Sequence, residues 1–140
     1  MIFKNLIYYI CIYKIEVYKI ILDMISTELL KGSLKSIVLK LLAENGRMYG
    51  YDITRKVEEL TSGKIKLTYG ALYPVLHKLE VEGSVITESE NFNNRTRIYY
   101  KLTPKGNSFA VEKIKELEEY LEVMGLLLKP NIELGIIGNK

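Results

Sequence analysis

The chain has few of the side chains from which active sites and metal sites are built. Among its 140 residues are one cysteine, one histidine and two aspartates. A zinc site needs three or four Cys, His or carboxylate ligands, and a nucleophilic triad needs a base that only His77 could supply. The composition therefore predicts a protein that is not an enzyme and that holds no metal or cofactor.

The remaining composition limits the class of protein further. The single cysteine, Cys11, cannot form an internal disulfide, so the sequence favours a reducing, cytoplasmic compartment. The length corresponds to one domain. The formal charge of +3, from 20 Lys and Arg against 17 Asp and Glu, is too small to indicate a nucleic-acid partner by itself. Such a prediction has to rest on where the basic side chains lie.

The first 22 residues, rich in isoleucine and tyrosine, differ from the rest of the chain. Their uncharged run, Asn5 to Tyr13, covers nine residues, whereas spanning a bilayer takes about twenty, and the pattern is not that of a signal peptide. We therefore expect no membrane partner. Residues 1–23 are either an additional amphipathic helix or strand that packs on the body or on a partner, or sequence upstream of a native start at Met24. We favour the second interpretation.

Three segments of the body have the 3.6-residue apolar periodicity of helices. The predicted helices are residues 26–45, 49–60 and 68–83. Ser26 and Thr68 are suitable N-cap residues for the first and the third. Two runs rich in β-branched and aromatic residues follow, Val85–Ser89 and Arg95–Leu102, and the Asn-containing segment between them suits a hairpin loop. This order predicts a mainly α (α+β) winged helix-turn-helix.

Apolar residues in the last predicted helix recur at steps of four and three, a period of 3.5. Such a seam is typical of a helix that pairs with another helix rather than one that lies on a globular core. The alternative is a helix folded back on its own domain, and we favour pairing with a second copy. We therefore predict a winged helix domain over 24–106, a dimerisation helix over 107–128 and a flexible tail over 129–140. The predicted dimer interface consists of Ala110, Ile114, Leu117, Leu121, Met124 and Leu128.

With these elements in place, the chain resembles PadR-type transcriptional regulators. The resemblance is carried by Leu29-Leu30-Lys31-Gly32-Ser33, Tyr49-Gly50-Tyr51-Asp52-Ile53, residues 70–80 (GALYPVLHKLE) with Glu82-Gly83, and residues 97–106 (RIYYKLTPKG). It implies a DNA-binding regulator, expected to be a homodimeric repressor that binds double-stranded DNA at an inverted-repeat operator. It also implies a small aromatic or drug-like effector that lodges between the first and last helices.

In a winged helix domain the third helix lies in the major groove, and the hairpin contacts phosphates or the adjacent minor groove. Arginine suits the hairpin because its planar fork binds phosphate oxygens bidentately. The candidate DNA-contacting residues are Tyr49, Lys66, Thr68, Tyr69, Tyr73, His77, Lys78, Asn93, Asn94, Arg95 and Arg97.

Several of these assignments have a purely structural alternative. Thr68 could serve as an N-cap, Tyr73 could pack against the second helix, and the two arginines of the hairpin could pair with Glu88 or Glu90. The alternative function is a winged-helix protein-protein interaction module without DNA binding. Binding to DNA that weakens steeply with salt would distinguish the two functions.

Overall fold

Six helices and three strands follow one another in residues 2–22 and 25–129, which the computed structural model describes, with side chains described for 4–15 and 25–129. The helices are α1 (Ile2–Leu22), α2 (Thr27–Leu30), α3 (Leu34–Asn45), α4 (Gly50–Leu60), α5 (Tyr69–Val81) and α6 (Pro104–Leu128). The strands are β1 (Met48–Tyr49), β2 (Val85–Phe92) and β3 (Arg95–Leu102), in one antiparallel sheet of order β1-β3-β2. The architecture is the predicted winged helix, extended by a long C-terminal helix.

Of the two forms predicted for the N-terminal segment, helix and strand, the chain takes the helical one, α1. The described side chains of α1, residues 4–15, are exposed. None of the helices in the described part of the chain is long and apolar enough to cross a membrane. The predicted tail lies outside the described residues, except for Lys129.

The prediction of a single helix over residues 26–45 is wrong, because this segment forms two helices, α2 and α3. Ser26 occupies the N-cap position of α2, but its side chain forms no capping hydrogen bond. The turn between the helices contains Gly32, which disfavours a helix, and Ser33, whose hydroxyl donates to the carbonyl of Leu30 at 3.2 Å. Because such a local hydrogen bond competes with helix formation, these two residues account for the break.

The core is centred on α3, which packs against α5, α6 and β3. Its Val38 and Leu39 side chains are fully buried. The apolar face predicted for the third helix is confirmed, and its fully buried members are Leu72, Leu76 and Leu79 of α5. Each buried leucine contributes about 1.5–3 kcal/mol relative to an exposed one, so this face holds α5 firmly on the core and leaves its opposite face to solvent.

A two-residue strand, β1, adds a third strand to the predicted hairpin. Met48 pairs with Tyr100, and Tyr49 pairs with Tyr99. Two residues are too few for the alternation by which strands are recognised in a sequence. The helix predicted to start at Tyr49 therefore begins one residue later, at Gly50. As a result, the start of α4 is joined through β1 to the hairpin β2–β3, which we call the wing.

The wing ends in a two-residue turn, Asn93-Asn94, because Phe92 pairs with Arg95. Both asparagines have left-handed backbone conformations, with φ of 47° and 61°. Two-residue hairpin turns require positive φ at these positions, and asparagine tolerates it. The tip of the wing is therefore short, and its shape is set by the backbone.

The base of α6 is packed against the segment that follows α5. Thr103 caps α6 by accepting a hydrogen bond from the backbone N–H of Gly106 at 3.0 Å, and its hydroxyl donates to the carbonyl of Gly83 at 2.7 Å. A Cβ atom added at Gly106 would lie 1.9 Å from the carbonyl oxygen of Ser84. Only glycine therefore permits this approach of α6, which begins at Pro104, three residues before the predicted dimerisation helix.

Candidate nucleic-acid interface

The exposed face of α5 carries several of the candidate DNA-contacting residues. At its start, the hydroxyl oxygen of Thr68 accepts a hydrogen bond from the backbone N–H of Ala71 at 3.2 Å, so the predicted N-cap is confirmed. Thr68 is nevertheless exposed, as are His77 and Lys78 further along the helix. These three side chains are thus available to a partner that approaches this face.

Tyr69 and Tyr73 form a pair on the same helix, with ring centroids 5.8 Å apart. About half of each side chain's surface is exposed, 49% for Tyr69 and 46% for Tyr73. The Tyr73 hydroxyl lies against the start of α4, where a Cβ atom at Gly50 would be 2.7 Å from it. Tyr73 therefore packs against the second helix of the domain, as its structural alternative proposed, while part of its ring still faces solvent.

The two arginines of the wing differ in how firmly they are held. Arg95 is exposed, whereas Arg97 is partly buried. The guanidinium carbon of Arg97 lies 4.0 Å from the ring centroid of Phe92 and 4.8 Å from that of Tyr49. Such contacts attract a cation to the face of an aromatic ring. Within the part of the chain that the structure describes, neither arginine forms an ion pair. Their positive charges are therefore not neutralised by any acidic side chain among the described residues.

Glu88 and Glu90 on β2 form ion pairs with Arg47, a residue that no sequence pattern identifies as a candidate for the site. Arg47 lies just before β1 and donates hydrogen bonds to Glu88 Oε2 at 3.3 Å and Glu90 Oε2 at 2.8 Å. Its guanidinium carbon is 4.3 Å from the centroid of the Tyr99 ring. The hydrogen bond to Glu88 raises the pKa of Arg47 above its ordinary value. The alternative in which the wing arginines pair with these glutamates is therefore wrong.

Tyr49 lies at the centre of an aromatic cluster beside the wing. Its ring stacks on Tyr51, with centroids 5.9 Å apart, and meets Tyr99 edge-on at 5.5 Å. Burial raises the pKa of Tyr49 above its ordinary value of 10.0. The phenol therefore keeps its proton at neutral pH, and it can donate a hydrogen bond to an acceptor such as a phosphate oxygen.

Lys66 lies in the loop before α5, with its amino nitrogen 3.9 Å from Glu58 Oε1. Both side chains are about half exposed. Ion pairs of this kind contribute little free energy because water screens them. Lys66 can therefore exchange the glutamate for a phosphate at small cost.

The apolar residues of the heptad seam of α6 lie in two different environments, one buried and one exposed. Ala110 has no exposed surface, because it is buried in the core where α6 packs against α3. Its assignment to the dimer interface is therefore wrong, and Ile114 is partly buried against the same core. Further along α6, Leu121 and Leu128 are 60% and 73% exposed. The distal half of the helix thus carries apolar side chains that the described part of the chain does not cover.

A groove of about 540 Å³ lies between α2 and the start of α3 on one side and α6 on the other. Its lining includes Leu29, Lys35 and Ser36 on one side and Lys113, Leu117 and Tyr120 on the other. The segment predicted as the first helix, now α2 and α3, and the last helix, α6, therefore enclose the place where the resemblance implies an effector. Among the described residues, no group of three or more His, Cys, Asp or Glu side chains could hold a metal ion.

Residues 38–112 match the model of the transcriptional regulator PadR-like family. The transcriptional regulator Rv3488 of Mycobacterium tuberculosis is 36% identical over 69 residues, which are 49% of this chain and 64% of that protein.

Two solved structures extend the comparison over more of the chain. A transcriptional regulator from Clostridium thermocellum, Cth-833, superposes with a TM-score of 0.67 at 27% identity, covering 74% of this chain and 100% of that one. A PadR family transcriptional regulator from Eggerthella lenta has a TM-score of 0.63 at 27% identity, covering 86% of this chain and 98% of that one.

Proposed function

This chain belongs to the PadR-like family of transcriptional regulators, and we propose that it acts as a homodimeric repressor that binds an inverted-repeat operator in the cytoplasm. The family membership makes it a DNA-binding regulator and not an enzyme. In this proposal residues 24–106 form the DNA-binding domain, residues 107–128 form the dimerisation helix, and residues 1–23 are an extension of the domain.

We propose that α5 enters the major groove, which is about 12 Å wide and admits a helix. Tyr69 and Thr68 then face base edges at the start of the helix, while Tyr73 contributes the exposed part of its ring. The proposed backbone contacts are Tyr49, Lys66, His77, Lys78, Asn93, Asn94, Arg95 and Arg97. The absence of ion pairs for the two wing arginines among the described residues supports this assignment, as does the ordering of Arg97 on its rings, which lowers the entropy lost on binding.

The exposed apolar half of α6 is the observation that carries the proposal of a homodimer. None of the described residues covers its exposed leucines, and covering them with a second copy would favour association by about 25 cal/mol per Å² of apolar surface. The proposed interface consists of Leu117, Leu121, Met124 and Leu128, with Ile114 at its edge. Pairing two copies along α6 would set the separation of their two α5 helices, which has to match about 34 Å, one turn of DNA.

Repression would follow from occupation of promoter DNA by this dimer. The groove beside α6 has a volume of about 540 Å³, within the range of roughly 300–1,000 Å³ for small-molecule sites. A small aromatic or drug-like compound bound there would contact both α3 and α6. A compound that binds one arrangement of the helices more tightly than another would shift the protein toward that arrangement. It would change the affinity for DNA by at most this difference in its own binding free energy.

Operator binding and oligomeric state together test the proposal. We expect the wild-type protein to sediment as a dimer and to bind an inverted repeat from its own promoter, with affinity that falls steeply as salt rises. Leu117→Asp with Leu121→Asp should yield a monomer that has lost operator affinity. Glu118→Asp with Glu122→Asp is the matched control, because it introduces the same residue type on the same helix outside the proposed interface. A dimeric Leu117→Asp/Leu121→Asp variant would refute the assignment of the interface.

A further inference from the structure

We propose that Arg47 is a positioning residue for DNA binding, which masks the two carboxylates of the wing and fixes the wing's orientation without contacting DNA itself. The inference rests on the DNA-binding role proposed above. Arg47 lies outside α5 and outside the hairpin tip, the two places where direct contacts with DNA are expected.

Arg47 joins both edges of the sheet. It precedes β1, one edge strand, while its two acidic partners lie on β2, the opposite edge strand. The central strand contributes Tyr99, which is aligned with Tyr49 of β1 on one side and Glu88 of β2 on the other. The Arg47 side chain therefore crosses the central strand over the Tyr99 ring and links β1, β3 and β2 on the outer face.

The two carboxylates lie close enough to the tip to affect DNA. Glu90 is two residues from Phe92, the last residue of β2, and at about 3.4 Å per residue it is roughly 7 Å from the end of the strand. This distance is shorter than the screening length of about 8 Å at physiological ionic strength. Unpaired carboxylates here would repel the phosphates that the tip approaches.

The carboxylates would also compete for the wing's own arginine. Glu90 is directly opposite Arg97 in the register of the two strands, and opposite charges in such positions attract each other. Arg97 instead lies over the rings of Phe92 and Tyr49, while Glu90 accepts a hydrogen bond from Arg47. Arg47 thereby keeps Glu90 engaged and leaves the guanidinium of Arg97 available to phosphate.

The geometry of Arg47 itself favours an indirect role. Each of its terminal nitrogens, Nη1 and Nη2, donates to a different glutamate, and one face of its guanidinium is covered by Tyr99. A lysine could supply the charge but not the two-pronged geometry or the flat surface that stacks on a ring. The interaction thus depends on arginine rather than on positive charge alone.

A double-mutant cycle on the full chain tests the proposal. Operator affinity is measured by fluorescence anisotropy for wild type, Arg47→Gln, Glu88→Gln/Glu90→Gln and the triple variant. We expect Arg47→Gln to weaken binding roughly fivefold, as for the loss of an exposed ion-pair network. In the Glu88→Gln/Glu90→Gln background the same substitution should change affinity by less than about twofold, because there is no charge left to mask. Arg47→Lys should fall between wild type and Arg47→Gln.

Other outcomes would overturn the proposal. If Arg47 itself binds a phosphate, its replacement weakens binding in both backgrounds and reduces the slope of log affinity against log salt by about one for each phosphate that is no longer bound. Equal affinities for Arg47→Gln and wild type would also refute it.

A measurement without DNA separates this inference from the proposed function. In hydrogen exchange, Arg47→Gln should speed exchange of the wing amides while amides of α3 stay protected, which also shows that the variant is folded. Unchanged protection of the wing would refute the role of Arg47. A wild-type protein that binds no operator would instead refute the proposed function, and the exchange experiment would still decide about Arg47.

Discussion

Gly106 stands so close to Ser84 that a Cβ atom at position 106 would lie 1.9 Å from the Ser84 carbonyl oxygen. That oxygen also accepts a hydrogen bond from the backbone N–H of Thr103 at 3.0 Å, so it cannot move away without breaking the bond. The contact fixes the base of α6 to the residue that precedes β2.

The substitution Gly106→Ala should therefore destabilise the fold. Because the clash is with backbone rather than with a flexible side chain, we expect a loss of about 3 kcal/mol in the free energy of unfolding, at the upper end for overpacking. The control is Gly125→Ala in the same helix, where a Cβ atom meets nothing within 4 Å and alanine should stabilise the helix by roughly 0.8 kcal/mol. Chemical denaturation measures both, and equal stabilities for the two variants would contradict the packing described above.

Thr68 is expected to matter first as an N-cap. Thr68→Ala removes the acceptor for the Ala71 amide and should cost about 1 kcal/mol of stability, whereas Thr68→Ser retains the hydroxyl and should stay near wild type. Thermal unfolding of the two variants tests this. Operator affinity measured on the same proteins adds a second readout: weaker binding by Thr68→Ser at unchanged stability would identify a contact of the threonine methyl group with DNA.

The wing arginines should account for part of the salt dependence of DNA binding. Arg95→Ala and Arg97→Ala should each weaken operator binding. In a dimer each substitution removes one phosphate contact from each of the two wings, so the slope of log affinity against log salt should become shallower by about two. Lys101→Ala is a matched control, because Lys101 is an exposed cation on the same face of β3 but lies opposite Ile86, far from the tip. A salt dependence unchanged by either arginine substitution would exclude the proposed contacts.

The end of α5 is joined to α3 by an ion pair that should weaken in acid. Lys35 Nζ donates to Glu82 Oε2 at 2.7 Å, and this hydrogen bond is the main reason why the pKa of Glu82 is lowered from its ordinary 4.5. Since the folded-state pKa is the lower one, the pair stabilises the fold fully above pH 4.5, and this contribution is lost as the pH falls through the lowered pKa.

The free energy of unfolding of wild type relative to Glu82→Gln should accordingly be constant between about pH 8 and pH 6 and should fall between about pH 5 and pH 3. In a Lys35→Met background, the same comparison should lose most of this pH dependence, because the partner that lowers the pKa is gone. Persistence of the full pH dependence without Lys35 would show that another group is responsible.

The elements that the sequence predicts well are those whose evidence is local. Leu72, Leu76 and Leu79 repeat with the period of a helix, and Thr68 directly precedes it, so α5 and its cap could be placed within two residues. The break at Gly32-Ser33 was not predicted, because Leu30 and Leu34 on either side are both buried and keep the helical spacing across it.

The features that were missed depend on contacts between distant residues. Arg47 is 41 and 43 positions from its two glutamates, so no local pattern relates them. Ala110 fits the heptad seam, but a periodic pattern cannot distinguish a partner's helix from the chain's own α3. The same limitation explains why β1, with two residues, becomes visible only through its pairing with β3.

Because α6 is rigidly attached to the winged domain at Gly106, a displacement of its far end rotates the whole domain. Residues 107–128 of the helix extend for about 33 Å at 1.5 Å per residue, so a sideways shift of roughly 3 Å at the far end corresponds to a rotation of about 5° at the base. Because the base of α6 is held to Ser84 by the close contact of Gly106 and by the hydrogen bond from Thr103, the winged domain has to turn with it. In the proposed homodimer, small shifts where the two α6 helices meet would therefore change the angle at which each winged domain approaches DNA.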